Sequence, residues 1–350
     1  MNAAVAASRP LRVAQWATGN IGTRALRAVI EHPGLELVGV HVHDEGKVGR
    51  DAGELCGTAD TAVLASAERD EILALDADCV LYMPRALDLD DVCALLAGGS
   101  NIVTTRGEFH RPASLEPAVR ERVEAACAEG STSIHSTGSS PGFITEAVPL
   151  MLTSIQRRLD CLTIDEFADL SRRDSPELLF DIMGFGRPPA TFDEARLAHL
   201  RDSFGPSLQL VADALALPLD AVEVAGEVAT VDRPVEIAAG TIEPGTVAGM
   251  RTTVSGLRGG RELLRFRANW YCSADLDADW SLQATGWRVR VEGDTPLDVA
   301  IHFPVPLERL AETTPGYTAH RAVNTVPALC RAAPGIATSV DLPQIIARLG

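Results

Sequence analysis

The sequence predicts an α/β protein, with an N-terminal doubly wound parallel sheet followed by an α+β domain on a mainly antiparallel sheet. Three observations carry this. The chain has 350 residues, more than one ordinary core uses, so about two domains are expected. Over the first 150 residues, short apolar runs alternate with stretches of helical spacing, the pattern of repeated β-α-β units. Later segments instead alternate apolar and polar residues with period two, as strands with one covered face do.

Leu11 to Ala17 is the first apolar run, and it ends in Thr18-Gly19-Asn20-Ile21-Gly22. A helix follows with Leu26, Val29 and Ile30 at helical spacing, stopped by His32-Pro33-Gly34. Leu35 to Val42 and Cys79 to Met83 read as strands, and Leu87 to Ala97 as an amphipathic helix closed by Gly98-Gly99. Asn101 to Thr105 is a strand. Ala113 to Glu129 is a helix with Leu115, Val119, Val123 and Cys127 on one face and Gly130 beyond its end, and Thr132 to His135 is a further strand.

In the second half Leu264, Phe266, Ala268 and Trp270 alternate with Arg265, Arg267 and Asn269. Trp287 to Glu292 and Leu297 to Phe303 repeat the pattern, and Arg258-Gly259-Gly260-Arg261 reads as a hairpin turn. The expected organisation is a disordered tail over 1–10, a dinucleotide-binding domain over 11–150 and an α+β substrate and dimerisation domain over 151–310. A helical segment over 311–350 would pack back on the first domain.

Composition narrows the function. Lys+Arg is 31 and Asp+Glu 48, a net charge of −17, which disfavours nucleic acid and anionic lipid and leaves small ligands. The seven cysteines include no C-x-x-C pair and read as thiols of a reducing compartment. No stretch approaches ~20 uncharged apolar residues, and the first ten lack a signal peptide's features, so a cytoplasmic, non-membrane protein is expected.

Ala17-Thr18-Gly19-Asn20-Ile21-Gly22 fits G-x-G-x-x-G with alanine at the first glycine. It follows a strand and opens a helix, the context a Rossmann-type dinucleotide site requires. Gly19 would let the backbone approach a pyrophosphate, Gly22 would let helix and strand pack closely, and Thr18, Asn20 and Ile21 complete the loop. The second strand runs into His41-Val42-His43-Asp44-Glu45-Gly46-Lys47-Val48-Gly49-Arg50. His43, Lys47 and Arg50 would suit the 2′-phosphate of NADP, and Asp44 the free ribose of NAD; the balance favours NADP with NAD tolerated. His41 and His43 could instead ligate a metal, but no third ligand lies nearby in sequence, so no metal is expected.

Gly138-Ser139-Ser140-Pro141-Gly142 matches the G-x-S-x-G elbow of hydrolases. The match fails chemically, because the residue after the nucleophile must donate its N–H to the oxyanion and Pro141 has none. Ser139 or Ser140 reads better as an N-cap, with Pro141 at the first helical position.

Trp16 to Gly22 and Val48 to Leu55 resemble the dihydrodipicolinate reductase-like superfamily. Asn324-Thr325-Val326-Pro327 and Ala333-Pro334-Gly335-Ile336 are similar to one branch of it, 2,4-diaminopentanoate dehydrogenase and the native NAD(P)H-dependent amine dehydrogenases. The cationic segment that holds a dicarboxylate in true dihydrodipicolinate reductases is missing around His135 to Ile144. The resemblance implies reductive amination of small apolar ketones or aldehydes with ammonia, by a homodimer. It puts Glu108, in Thr104-Thr105-Arg106-Gly107-Glu108-Phe109, in the role of acid/base. Met83, Pro84 and Arg85 end a parallel strand and should pass near the cofactor, and Asn324 could hold the nicotinamide carboxamide or cap a helix. His135, Phe143, Ile144, Met183 and Phe185 are the candidate substrate pocket. A cyclic-imine or carbonyl reductase and a non-catalytic nicotinamide sensor are the alternatives.

Overall fold

The computed structural model describes residues 9–190 and 194–350, so most of the expected N-terminal tail lies outside the described residues. The chain divides into two compact units, residues 1–143 with 315–350, and residues 144–314.

In the first unit the elements run β1 (Leu11–Trp16), α1 (Asn20–Ile30), β2 (Leu35–His41), α2 (Ala52–Cys56), β3 (Ala65–Ser66), α3 (Arg69–Leu73) and β4 (Cys79–Tyr82). There follow α4 (Leu89–Ala97), β5 (Asn101–Thr104), α5 (Pro117–Gly130) and β6 (Ser133–Ser136). The short α2 and α3 have no periodic signal in the sequence.

α5 begins later than its spacing predicts. Pro117 takes a first-turn position, and Glu116 before it is held extended (φ −53°, ψ 131°), while Pro112–Ser114 form a separate tight turn. The helix also runs through Gly130 to a left-handed Ser131 (φ 55°). A Cβ at Gly130 would stand 1.9 Å from the Leu96 carbonyl oxygen, so glycine there allows α4 and α5 to meet.

The second unit holds α6 (Val148–Thr153), β7 (Leu159–Asp169), α7 (Glu194–Ala214), β8 (Ala221–Thr230), β9 (Val235–Ile237) and β10 (Gly240–Ile242). Then come β11 (Val247–Arg258), β12 (Arg261–Tyr271), β13 (Gly286–Gly293) and β14 (Leu297–His302). Six strands form one sheet in the order β14-β13-β7-β12-β11-β8, in which only β7 and β12 pair in parallel. The β11–β12 turn is the expected one: Gly259 (φ 59°) and Gly260 (φ 72°) supply two successive left-handed residues. One face buries Leu162, Ile164, Val254, Phe266 and Val289, and α7 packs against β8, β11 and β12, with Phe204 stacked on Phe266 at 4.2 Å. The other face carries Asp165 bonded to Arg267 and Arg290. The expected alternation breaks at Asn269, which is fully buried because Arg251 Nε donates to its side-chain oxygen and its amide donates to the Glu166 carbonyl.

α8 (Leu307–Leu329) and β15 (Gly335–Ile336) return the chain to the first unit. β15 pairs beside β6, giving a seven-stranded parallel sheet in the order β15-β6-β5-β4-β1-β2-β3. One face packs Ala14, Trp16, Val80, Tyr82 and Ile102 against α3, α4 and α5. The other packs Val13, Cys79, Leu81 and Val103 against α1 and against Ala319, Ala322, Val323, Val326 and Leu329 of α8. Among the described residues no helix is long and apolar enough to cross a membrane.

Candidate active site

In the first unit the chain leaves β1 toward β2 and β3 on one side and β4, β5 and β6 on the other. This reversal opens a crevice at the C-terminal ends of β1 and β4, where open α/β sheets bind ligands.

The turn after β1 fits a phosphate. Ala17, in the place of the first glycine, is left-handed (φ 72°), a conformation that costs a non-glycine residue about 1–2 kcal/mol. It is held from both sides. Its N–H donates to the His41 carbonyl at 2.9 Å, and the buried Gln15 amide donates to its carbonyl at 2.9 Å and to that of Leu81 at 3.3 Å. Gly22 closes the turn, since a Cβ there would lie 2.1 Å from the Ala17 oxygen. Gly19 is the extended N-cap of α1 and exposed, and a Cβ added there would meet nothing within 4 Å. The first turn of α1 contains no acidic side chain. Its free amides and positive dipole end therefore face an open cradle suited to a pyrophosphate.

The end of β2 divides the residues expected to read the ribose. Tyr82, Trp16 and His41 are neighbours in register across β4, β1 and β2, and Trp16 stacks on His41 at 4.0 Å between ring centres. Burial, then the nearby His43, pushes the His41 pKa down to about 4. His41 is thus a packing residue rather than half of a metal pair. His43 is exposed, with its ring edge-on to His41. The Asp44 carboxylate accepts from the Gly46 N–H at 3.0 Å and caps the next turn. Lys47 folds over the glycine loop, donating from Nζ to the Thr18 carbonyl at 2.9 Å and hydroxyl at 3.2 Å. Arg50 pairs along α2 with Glu54 at 2.7 Å instead of turning to the loop.

Beyond β4, Met83 and Pro84 are buried and Arg85 is exposed; the Met83 N–H donates to the Trp16 carbonyl at 3.0 Å. Beyond β5, the Arg106 N–H donates to the Thr104 hydroxyl at 3.1 Å, and its guanidinium donates to the Arg85 carbonyl at 2.6 Å and to Oε1 of Glu108. Oε2 of Glu108 is buried, with no hydrogen-bond partner among the described residues. Phe109, fully buried, donates its N–H to the Ser136 hydroxyl at 3.1 Å. Glu108 is therefore fixed between two anchored neighbours, with one oxygen in an ion pair and the other unengaged.

The loop after β6 corrects one expectation. Ser140 is extended (φ −156°, ψ 108°), the Ser140–Pro141 bond is cis, Pro141 has ψ 167° and Gly142 has φ 117°. Pro141 is thus not the first residue of a helix, and neither serine is an N-cap. Ser139 instead bonds the Thr318 hydroxyl of α8 at 2.7 Å. Phe143 lies beneath the Arg321 guanidinium, 5.9 Å from its ring centre.

Other assignments are revised. His135 is 2% exposed, and its Nδ1 lies 2.8 Å from the Ala337 carbonyl, so it ties β6 to the tail rather than lining an open pocket. Asn324 faces a cavity shared with His32, Pro327 and Arg331 at the opposite edge of the sheet, where α1 ends and β2 begins. It is one to two helical turns past Thr318 on α8. In the second unit Phe185 is fully buried with Leu179, Val231, Ile237 and Met250, and Met183 packs against that core, so both are packing residues. Ile144 is fully buried. Gln15, which fixes the glycine turn, was not among the expected residues, whereas the Arg106 pair with Glu108 is the alternative that the charged loop itself offers. Gln15 carried a legible signal, a polar side chain inside an apolar strand.

Comparison with known proteins shows what the chain is similar to. Residues 192–350 match the 2,4-diaminopentanoate dehydrogenase C-terminal domain. Over 351 aligned residues, the chain is 28% identical to an amine dehydrogenase of Streptomyces virginiae, covering 96% of this chain and 97% of the other. The solved amine dehydrogenase of Mycobacterium smegmatis superposes with a TM-score of 0.74 at 18% identity, over 97% of this chain and 98% of the other. A myo-inositol 2-dehydrogenase of Lactobacillus plantarum shares the fold more distantly, with a TM-score of 0.51, 12% identity and coverage of 91% and 90%.

Proposed function

We infer the reaction from a chain that is related along its length to an amine dehydrogenase and carries a 2,4-diaminopentanoate dehydrogenase C-terminal domain. It is an NAD(P)-dependent oxidoreductase, and we propose that it reversibly aminates small apolar ketones or aldehydes with ammonia. The nicotinamide supplies or accepts the hydride.

The chain's own groups have distinct tasks in this reading. Gly19 and the first-turn amides of α1 bind the pyrophosphate. Lys47, already bonded to Thr18, turns its ammonium to the 2′-phosphate of NADP, while Asp44 is engaged in its own turn. Glu108 handles protons. Oε2 takes a proton from ammonium so that the amine can add to the carbonyl, then returns it to the hydroxyl that leaves as water. The carboxylate then faces the iminium that receives hydride. In sum, carbonyl, ammonium, hydride and one proton give the protonated amine and water. Arg106 holds Oε1, so the carboxylate keeps one orientation throughout.

The observation that supports the proposal best is the buried, unpartnered Oε2 of Glu108 on the loop after β5. The test is consumption of NADPH and NADH against small ketones and aldehydes, with and without ammonium. Consumption that requires both ammonium and carbonyl is expected. Consumption without ammonium would make the protein a carbonyl reductase.

A further inference from the structure

The edge of the first unit's sheet opposite the glycine loop carries a second cluster of nitrogen donors. His32 ends the turn after α1, and the Gly34 N–H donates to its Nδ1 at 3.0 Å. Nδ1 is therefore the acceptor and the ring proton sits on Nε2, which is buried without a partner. His32 borders a cavity of about 380 Å³ with Asn324 and Arg331 from α8 and the segment after it, and with Arg348 from the C-terminal segment. Pro327 and Ile345 supply apolar wall.

Charge makes the cavity unusual. The chain as a whole is at −17, yet among the described residues no carboxylate side chain lines this space. Elsewhere on the surface arginines pair with acidic side chains, as Arg27 does with Glu31 and Arg50 with Glu54. Arg331 and Arg348 form no ion pair among the described residues. Arg348 is close enough to His32 that its charge, after burial, lowers the histidine's pKa. Two arginines without an ion pair among the described residues, an asparagine and an unsatisfied imidazole N–H thus border one space beside an apolar wall. The volume lies at the lower end of the range for small-molecule sites.

We propose that this cavity is a second binding site, separate from the cofactor crevice, for a small monocarboxylate with a short apolar body. Two guanidinium forks receive the carboxylate oxygens, His32 Nε2–H and the Asn324 amide complete their hydrogen bonds, and Pro327 and Ile345 cover the hydrocarbon. An occupant would therefore bridge α8, the turn after α1 and the C-terminal segment.

Thermal shift and calorimetry on the full chain with saturating NADPH present, using isovalerate, its neutral amide isovaleramide and inorganic phosphate, test the site. Isovalerate is expected to bind and raise the melting temperature, and the amide is not. Arg331→Gln with Arg348→Gln, both exposed, should weaken isovalerate about tenfold or more while leaving the NADPH affinity unchanged. Arg331→Lys should restore part of the loss. Equal binding of the amide, survival of binding in the double variant, or no binding at millimolar concentration would overturn the proposal. Binding of phosphate but not isovalerate would overturn the carboxylate assignment. None of these readouts depends on catalysis, so they stand apart from the test of reductive amination.

Discussion

Single side chains decide the chemistry, and three make distinct predictions. Glu108→Gln keeps the shape and the neighbours of the carboxylate but cannot shuttle a proton. It should bind NADPH normally and lose about a hundredfold or more of turnover, measured as kcat under saturating ammonium. Lys47→Ala removes the ammonium that lies on Thr18. KM for NADPH should rise about tenfold while KM for NADH changes little, and equal changes for both would remove Lys47 from the 2′-phosphate. His41 gives a pH effect. Its folded pKa of about 4 lies below the ordinary value near 6.5, so the unfolded chain binds the proton more readily. The stability it contributes is complete above about pH 6.5 and is lost as pH falls toward about 4, by at most ~3 kcal/mol. His41→Phe keeps the stack on Trp16 without the titration. Urea melts of the variant at neutral pH and about pH 5 should differ less than those of the parent protein.

At the scale of elements, glycines mark where backbones meet. Gly22→Ala would drive a methyl into the Ala17 carbonyl, and Gly130→Ala one into that of Leu96. Both should lose stability by about 2 kcal/mol or more in thermal melts, and Gly22→Ala should also lose cofactor affinity; Gly19→Ala, facing open space, should fold normally and lose affinity alone. Elements with strong periodicity were legible in the sequence: β1, α1, β2, α4 and the β11–β12 hairpin lie within a residue or two of where the pattern puts them. α2 and α3 were not, because five residues are too few to show a period. The start of α5 was misread because apolar spacing continues across Pro117 while the backbone cannot. The glycine loop was legible because its spacing follows a strand and opens a helix, and Gly22 answers a local steric need. The surroundings of Asn324 and His135 were not legible, because they depend on contacts 202 residues apart for His135 and Ala337 and about 290 apart for His32 and Asn324.

The molecule as a whole is a discontinuous host with an inserted unit. Residues 315–350 bring α8 and β15 to the first unit, covering one face of its sheet and extending its edge. A fragment ending at residue 314 would expose Val13, Cys79, Leu81 and Val103. Burying five aliphatic side chains of α8 is worth several kcal/mol, comparable to the stability of a whole domain. That fragment should be insoluble or lack a cooperative melt by circular dichroism, and co-expressed 315–350 should rescue it in part. The same arrangement has a consequence during synthesis. Residues 144–314 emerge from the ribosome while the host is still missing a helix and a strand, so the inserted unit matures first although the host's N-terminus was translated before it. The glycine loop is made early, but the sheet that braces it closes only when Ala337 arrives to meet His135. Until then the nascent host carries an open parallel edge at β6, and this interval is when a chaperone has most to protect.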